Sequence, residues 1–170
     1  EYAGKYDDSD LGEIIGQSVT GELFAVRDLG NYRGVHTDLF HYTDPEQHES
    51  GKVYLQGLWS FGNDHLRHSV QTAEEAYFVV RFYARNVNVV MGPGFGGAYE
   101  VTVYLDGEFI PAAYAGKDVR YDEDGRSYIY VEETPRLYSL LNTNVPLDSH
   151  EVKVSSSSEE FAFWSFTFGA

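Results

Sequence analysis

Carboxylates are the most abundant side chains capable of chemistry, since 27 of the 170 residues are Asp or Glu. Three pairs of adjacent Glu residues occur, at Glu74–Glu75, Glu132–Glu133 and Glu159–Glu160. Neighbouring residues on a strand point to opposite faces, whereas glycoside hydrolysis needs two carboxyl groups about 5–10 Å apart across a cleft. The spacing therefore does not favour a hydrolase.

Histidines are the second group that could do chemistry, as metal ligands. The chain has six, and only His65 and His68 are close together. The spacing fits neither a His-Glu-x-x-His motif nor a triad supported by a carboxylate. We interpret the histidines as surface or packing residues, with His65 and His68 as the pair to test for zinc.

A short acidic segment could instead hold calcium. Asp122, Glu123, Asp124 and Gly125 resemble the end of a calcium loop, but Arg120 stands where an EF-hand needs an oxygen ligand. The same residues form a good turn between two strands, and that interpretation is favoured. Calcium stays open, with Asp122 and Asp124 as its candidate ligands.

Nucleophilic and cofactor chemistry find little support. The chain has no Cys, which excludes thiol catalysis, disulfides and thiolate metal sites, and it has no Gly-x-Ser-x-Gly elbow. The glycine-rich loop at residues 92–97 lies between predicted strands and lacks the Lys of a phosphate cradle. We predict a protein that is not an enzyme and needs no cofactor, calcium apart.

Charge and hydropathy exclude two further classes. With 12 Lys and Arg against 27 Asp and Glu, the formal charge is −15, so the chain repels nucleic acid. No apolar run approaches the roughly 20 residues of a membrane-spanning helix. A length of 170 residues suits one domain.

The sequence pattern from about residue 52 onward predicts strands. Aromatic residues make up 16% of the chain, with 14 Tyr and 11 Phe, and such residues favour strands. Polar and apolar residues alternate over 76–84, 86–91, 99–105 and 127–132, and Asp106-Gly107 predicts a tight hairpin. Further strands are expected at 136–141, 150–154 and 161–168, with a turn at 142–146. The fold class predicted is all-β: a single-domain antiparallel β-sandwich or jelly roll.

The final strand is apolar on both faces. Alternation places Phe161 and Phe163 on one side, and Trp164, Phe166 and Phe168 on the other. We expect either a central strand covered on both sides or a strand with one face against another chain.

Outward-facing tyrosines are the best candidates for ligand contact. Period two puts tyrosines beside arginines on the outer faces of the predicted strands, and the candidate binding residues are Tyr77, Arg81, Tyr83, Tyr104, Tyr128 and Tyr130. Aromatic rings stack on the apolar face of a sugar, and Tyr and Arg also suit protein interfaces. Simple cross-strand pairing is the third interpretation, and the pattern leaves all three open.

Several short motifs occur in the order of a known family. They are the segments 54–59 (YLQGLW), 80–93 (VRFYARNVNVVMGP), 103–107 (VYLDG), 116–119 (GKDV), 136–138 (RLY) and 166–169 (FTFG). The chain from about residue 50 to 170 thus resembles the C-terminal domain of DipZ-like thioredoxin-family proteins. The resemblance implies a carbohydrate-binding-module-like β-sandwich that follows a thioredoxin-like domain outside the cytoplasmic membrane. No redox activity is expected, because the chain lacks the Cys-x-x-Cys motif.

Together these patterns predict an irregular N-terminal segment (1–50) with short strands and a β-sandwich (51–170). The expected function is that of a non-catalytic, extracytoplasmic accessory module, at the cell surface, in the periplasm or secreted. It would contact a glycan or a partner protein through an aromatic sheet face, without nucleic acid or membrane insertion. The alternative is a structural subunit that assembles into an oligomer, fibre or coat, which the loose N-terminal segment and the two-sided final strand motivate.

Overall fold

A computed structural model describes residues 19–31, 39–69 and 75–170, and it consists of strands, turns and one 3-10 turn. In chain order the elements are β1 (Leu23–Phe24), β2 (Phe40–Tyr42), β3 (Val53–Phe61), β4 (Leu66–His68), β5 (Ala76–Pro93), β6 (Tyr99–Leu105), β7 (Glu108–Phe109), the 3-10 turn (Ala112–Tyr114), β8 (Arg120–Tyr121), β9 (Ser127–Val131), β10 (Arg136–Ser156) and β11 (Phe161–Gly169). Within these described ranges there is no helix that could cross a membrane. The predicted all-β fold is confirmed.

One continuous antiparallel sheet contains all eleven strands, in the order β1-β11-β4-β3-β5-β10-β6-β9-β8, with β2 on β3 and β7 on β6. The long strand β5 pairs with β3 near its start, where Val80 faces Val53, and with β11 near its end, where Met91 faces Phe163. The short strand β4 joins β3 to β11. The sheet therefore curls back on itself around a core, as in a sandwich.

Aromatic side chains from facing parts of the sheet fill this core. Phe78 of β5 stacks on Phe163 of β11 with ring centroids 4.0 Å apart, and Trp59 of β3 lies 5.1 Å from Phe161. All four side chains are fully buried. Burying each such ring contributes about 1.5–3 kcal/mol through removal of apolar surface from water, so this cluster is a main source of stability.

The hairpin between β6 and β7 has the predicted turn. Asp106 and Gly107 adopt φ angles of 52° and 81°, the left-handed values that a type I′ turn requires at both positions. The strand before it, β6, has the predicted bounds and buries Val101, Val103 and Leu105.

Two strand predictions were wrong in detail, both because of bulges. Residues 142–146 form no turn; they lie within β10, where the register against β5 shifts between Asn142 and Leu147. In β11 the register shifts between Phe163 and Ser165. The extra residue, Trp164, returns Phe166 to the core side, so Phe161, Phe163 and Phe166 are all buried.

Strand β11 is central, as expected, with β1 and β4 on one side and β5 on the other. Within the predicted N-terminal segment, β1 and β2 are two and three residues long, while residues 1–18 and 32–38 lie outside the described ranges. The boundary at residue 50 stays a prediction.

Candidate functional site

The loop of residues 43–52, between β2 and β3, covers part of the outer sheet face and is held there by His48. The imidazole Nε2 lies 2.6 Å from Asp44 Oδ1, and Nδ1 lies 2.7 Å from Glu151 Oε1 on β10. Only 5% of the His48 side chain is exposed. The buried histidine therefore connects the loop to the centre of the sheet.

Tyr77 extends this polar cluster. Its hydroxyl donates a 2.5 Å hydrogen bond to Asp44 Oδ2. Burial would raise the pKa of Asp44, but hydrogen bonds from Tyr77, His48 and the Glu46 amide outweigh burial and lower it. Burial and the neighbouring Asp44 raise the pKa of Tyr77. At neutral pH the carboxylate is thus ionised and the phenol is a donor.

The pKa of His48 is raised. Burial by itself would lower it, but the hydrogen bonds and negative charges of Asp44 and Glu151 outweigh burial. The electrostatics of this cluster favour an imidazolium ion between two carboxylates.

Three adjoining cavities run across the outer face. A cavity of about 500 Å³ lies against Glu46, Arg81 and Tyr54, and one of about 230 Å³ against Tyr77 and Lys153. Both are bordered by His48 and Glu151. A third, of about 440 Å³, lies against Tyr104 and Phe109 and meets the second at Gly107. We call this run of cavities the outer groove.

A row of rings and one ammonium group forms the side of the outer groove. Lys153 Nζ lies 5.0 Å from the ring centroid of Tyr77 and 4.5 Å from that of Tyr104, distances typical of cation–π contacts. The ring of Phe109 stacks beside Tyr104 at 5.6 Å and 22°. Because β10 and β7 flank β6 on opposite sides, Tyr104 has Lys153 on one side and Phe109 on the other. Of the two rings, Phe109 is more exposed than Tyr104, with 43% of its surface exposed.

The structure thus brings some of the predicted binding residues together and separates others. Tyr77 and Tyr104 share Lys153, and Arg81 borders the largest cavity of the outer groove. Tyr128 lies under the guanidinium of Arg126. Tyr130 borders a separate cavity with Glu132 and Glu133, and the Tyr83 backbone is bonded to Thr20.

The sequence analysis missed the polar half of the groove and the ring of Phe109. The sequence pattern predicts only a surface or packing role for His48, and it marks neither Asp44 nor Glu151. Only the position of Phe109 is indicated by the sequence, and weakly. It follows the Asp106-Gly107 turn by two residues, which places it beside Tyr104 on the hairpin.

Asp122 and Asp124, the candidate calcium ligands, lie in the turn between β8 and β9. Asp122 Oδ1 accepts hydrogen bonds from the backbone amides of Asp124 and Arg126, and Oδ2 accepts one from Arg126 Nε at 3.0 Å. These bonds lower the pKa of Asp122. Within the described ranges, no three His, Asp or Glu side chains are grouped so as to hold a metal ion. Calcium binding there stays a prediction.

His65 and His68 have different surroundings. His65 stacks on Trp164 with ring centroids 4.7 Å apart, and it is paired with Asp64. His68 is buried, with Nδ1 2.9 Å from the Ser158 carbonyl oxygen. His68 fills a packing role, as the sequence interpretation expected.

Comparison with known proteins supports part of the resemblance. No curated protein matches the chain. The family model described as "Thioredoxin like C-terminal domain" matches residues 24–169, from the second residue of β1 through β2 and the later strands. Since this match covers most of the 170 residues, the chain belongs to the thioredoxin-like C-terminal domain family.

Proposed function

We propose that this chain is a non-catalytic accessory module that binds glycans through the outer groove, in an extracytoplasmic setting and in association with a thioredoxin-like protein. The observation that carries the proposal is the exposed Phe109 ring, followed by Tyr104, Lys153 and Tyr77, at one end of a groove whose other end is rich in hydrogen-bonding groups.

The arrangement suits the amphipathic surface of a pyranose. An aromatic ring can stack on the apolar face of the sugar, while side chains at the edge bond its hydroxyl groups. Phe109 offers the ring in the third cavity, Glu46 borders the middle cavity, and Arg81 and Gln47 supply donors and acceptors at the first cavity. Because the three cavities adjoin, an oligosaccharide of several units would fit better than a single sugar.

The same cluster supports a binding role rather than a catalytic one. A histidine that acts as a general base needs a nitrogen free to take a proton from the substrate. Both nitrogens of His48 instead face carboxylate oxygens of the protein, and Asp44 is bonded to Tyr77 as well.

Affinity electrophoresis in gels that contain soluble polysaccharides tests the proposal. We expect at least one neutral polysaccharide to retard the wild-type chain, and we expect Phe109→Ala to reduce this retardation. Phe95→Ala is the matched control, because Phe95 is also an exposed ring, at 65%, but lies in the loop of residues 94–98 between β5 and β6. Retardation that is lost in Phe95→Ala and kept in Phe109→Ala would place the site in that loop and refute the groove.

Self-assembly is a second candidate function, and the observation that favours it is the pair of edge strands at the two ends of the sheet. The strand order ends at β1 and β8, and a strand from another copy could add to the outer edge of either one. The two-sided β11 no longer supports this candidate, because its bulge turns Phe166 into the core. Sedimentation velocity separates the candidates: a concentration-dependent series of oligomers without glycan retardation would favour assembly.

A further inference from the structure

We propose that His48 is a pH switch for the outer groove: the imidazolium ion holds the loop of residues 43–52 against β10, and loss of its proton releases the loop on that side. The effect on ligand binding rests on the proposed function, whereas the effect on the loop does not.

The switch follows from the hydrogen-bonding capacity of imidazole. Carboxylate oxygens only accept, so His48 must donate from both nitrogens to satisfy Asp44 and Glu151 at 2.6 and 2.7 Å. Neutral imidazole has only one N–H. The lone pair of its other nitrogen would then point at a carboxylate oxygen, which cannot donate a hydrogen bond. Deprotonation therefore replaces one attractive contact with a repulsive one.

One of the two contacts at stake is the described side-chain link between the loop and β10, from His48 Nδ1 to Glu151. Other bonds tie the loop to β3, from the Asp44 amide to Gln56 and from the Glu49 amide to the Tyr54 hydroxyl. The Tyr77 hydroxyl ties Asp44 to β5. Deprotonation should thus move one side of the loop without unfolding the sheet, and His48 and Glu151 border the two cavities that this movement would reshape.

The charges around His48 set the direction of the switch. The titratable and charged groups that line the same two cavities as His48 are Asp44, Glu46 and Glu49 on its own loop, Tyr54 on β3, Tyr77 and Arg81 on β5, and Glu151 and Lys153 on β10. The two bonded carboxylates raise the pKa of His48 despite burial. A raised pKa means that the contact is complete below the ordinary value of 6.5 and is lost as pH rises through the raised value.

A second histidine close by must be separated from His48. His150 is paired with Asp106 in the β6–β7 turn, and the Asp106 carboxylate also accepts a bond from the Glu151 amide. The side chain of His150 is 40% exposed, whereas the side chain of His48 is 5% exposed. His150→Gln is therefore the matched control for His48→Gln.

The experiment follows the full chain by NMR from about pH 5.5 to about pH 9, a range that covers histidine titration. The His48 Cε1 resonance should titrate above pH 6.5, and the backbone amides of residues 43–52 and 151 should shift with the same midpoint. These amide shifts should be absent in His48→Gln and kept in His150→Gln. In Glu151→Gln the His48 midpoint should fall, because one carboxylate has been replaced by an amide.

Polysaccharide retardation measured over the same pH range tests the link to the groove. We expect affinity to fall about tenfold as His48 loses its proton, the size expected for one charged hydrogen bond, and to be flat with pH in His48→Gln. A His48 midpoint at or below 6.5, or loop amides that do not follow it, would overturn the switch. A loop that titrates as described in a chain that no polysaccharide retards would instead refute the proposed function and leave the switch standing.

Discussion

The rings of Phe78 and Phe163 stack face to face with centroids 4.0 Å apart, and both side chains are fully buried. Phe78 lies in the part of β5 that pairs with β3, and Phe163 lies in β11, which pairs with the other end of β5. This contact therefore joins two parts of the sheet that face each other across the core.

Truncating one of these rings should destabilise the whole fold. We expect Phe163→Ala to lower the free energy of unfolding by about 3–5 kcal/mol, through lost apolar burial and the cavity that remains. Urea unfolding followed by fluorescence measures this change. Phe95→Ala, which removes an exposed ring, should change stability by less than about 0.5 kcal/mol. Equal losses in the two variants would contradict the packing described here.

The Tyr99 hydroxyl is a second link across the core. It lies 2.9 Å from the Gly92 carbonyl oxygen on β5 and 3.2 Å from the Ala162 amide nitrogen on β11. Tyr99→Phe leaves these buried backbone groups without their partner, so we expect a loss of about 1–3 kcal/mol in thermal or urea unfolding. Tyr130→Phe removes a hydroxyl from a ring that is 44% exposed and should be nearly neutral. A neutral Tyr99→Phe would show that the buried bonds contribute little.

Buried His68 should make the protein sensitive to acid. Burial lowers its pKa below 6.5 more than its bond to the Ser158 carbonyl raises it. The folded protein thus holds the neutral form while the unfolded chain takes up a proton, so stability falls as pH drops from 6.5 towards the lowered value. His68→Asn keeps a donor for Ser158 but does not titrate, and its urea midpoint should depend less on pH over this window. An identical pH dependence in both proteins would argue against this role.

Much of the fold could be predicted from the sequence because its signals are local. Strand β6 and its turn follow from seven alternating residues and the pair Asp106-Gly107, and neither depends on distant partners. The bulges at Trp164 and at residues 142–146 depend on how β11 and β10 align with β5. Register between distant strands has no local signature, so these shifts could not be predicted.

The candidate site was predictable only in part, for the same reason. Alternation correctly placed Tyr77 and Tyr104 on outer, half-buried positions. The contact between His48 and Glu151 spans 103 residues of sequence, and the burial of His48 depends on how an irregular loop folds over the sheet. Lys153 reaches Tyr104 because β10 aligns with β6 in that register, which the sequence does not reveal.

The most direct test of glycan binding at the outer groove is a map of backbone amide shifts on titration of the full chain with a soluble oligosaccharide. We predict saturable shifts at residues 43–52, around Phe109 and around Lys153, and their loss in Phe109→Ala. Shifts confined to residues 92–97, or no shifts with any oligosaccharide at millimolar concentration, would contradict the account.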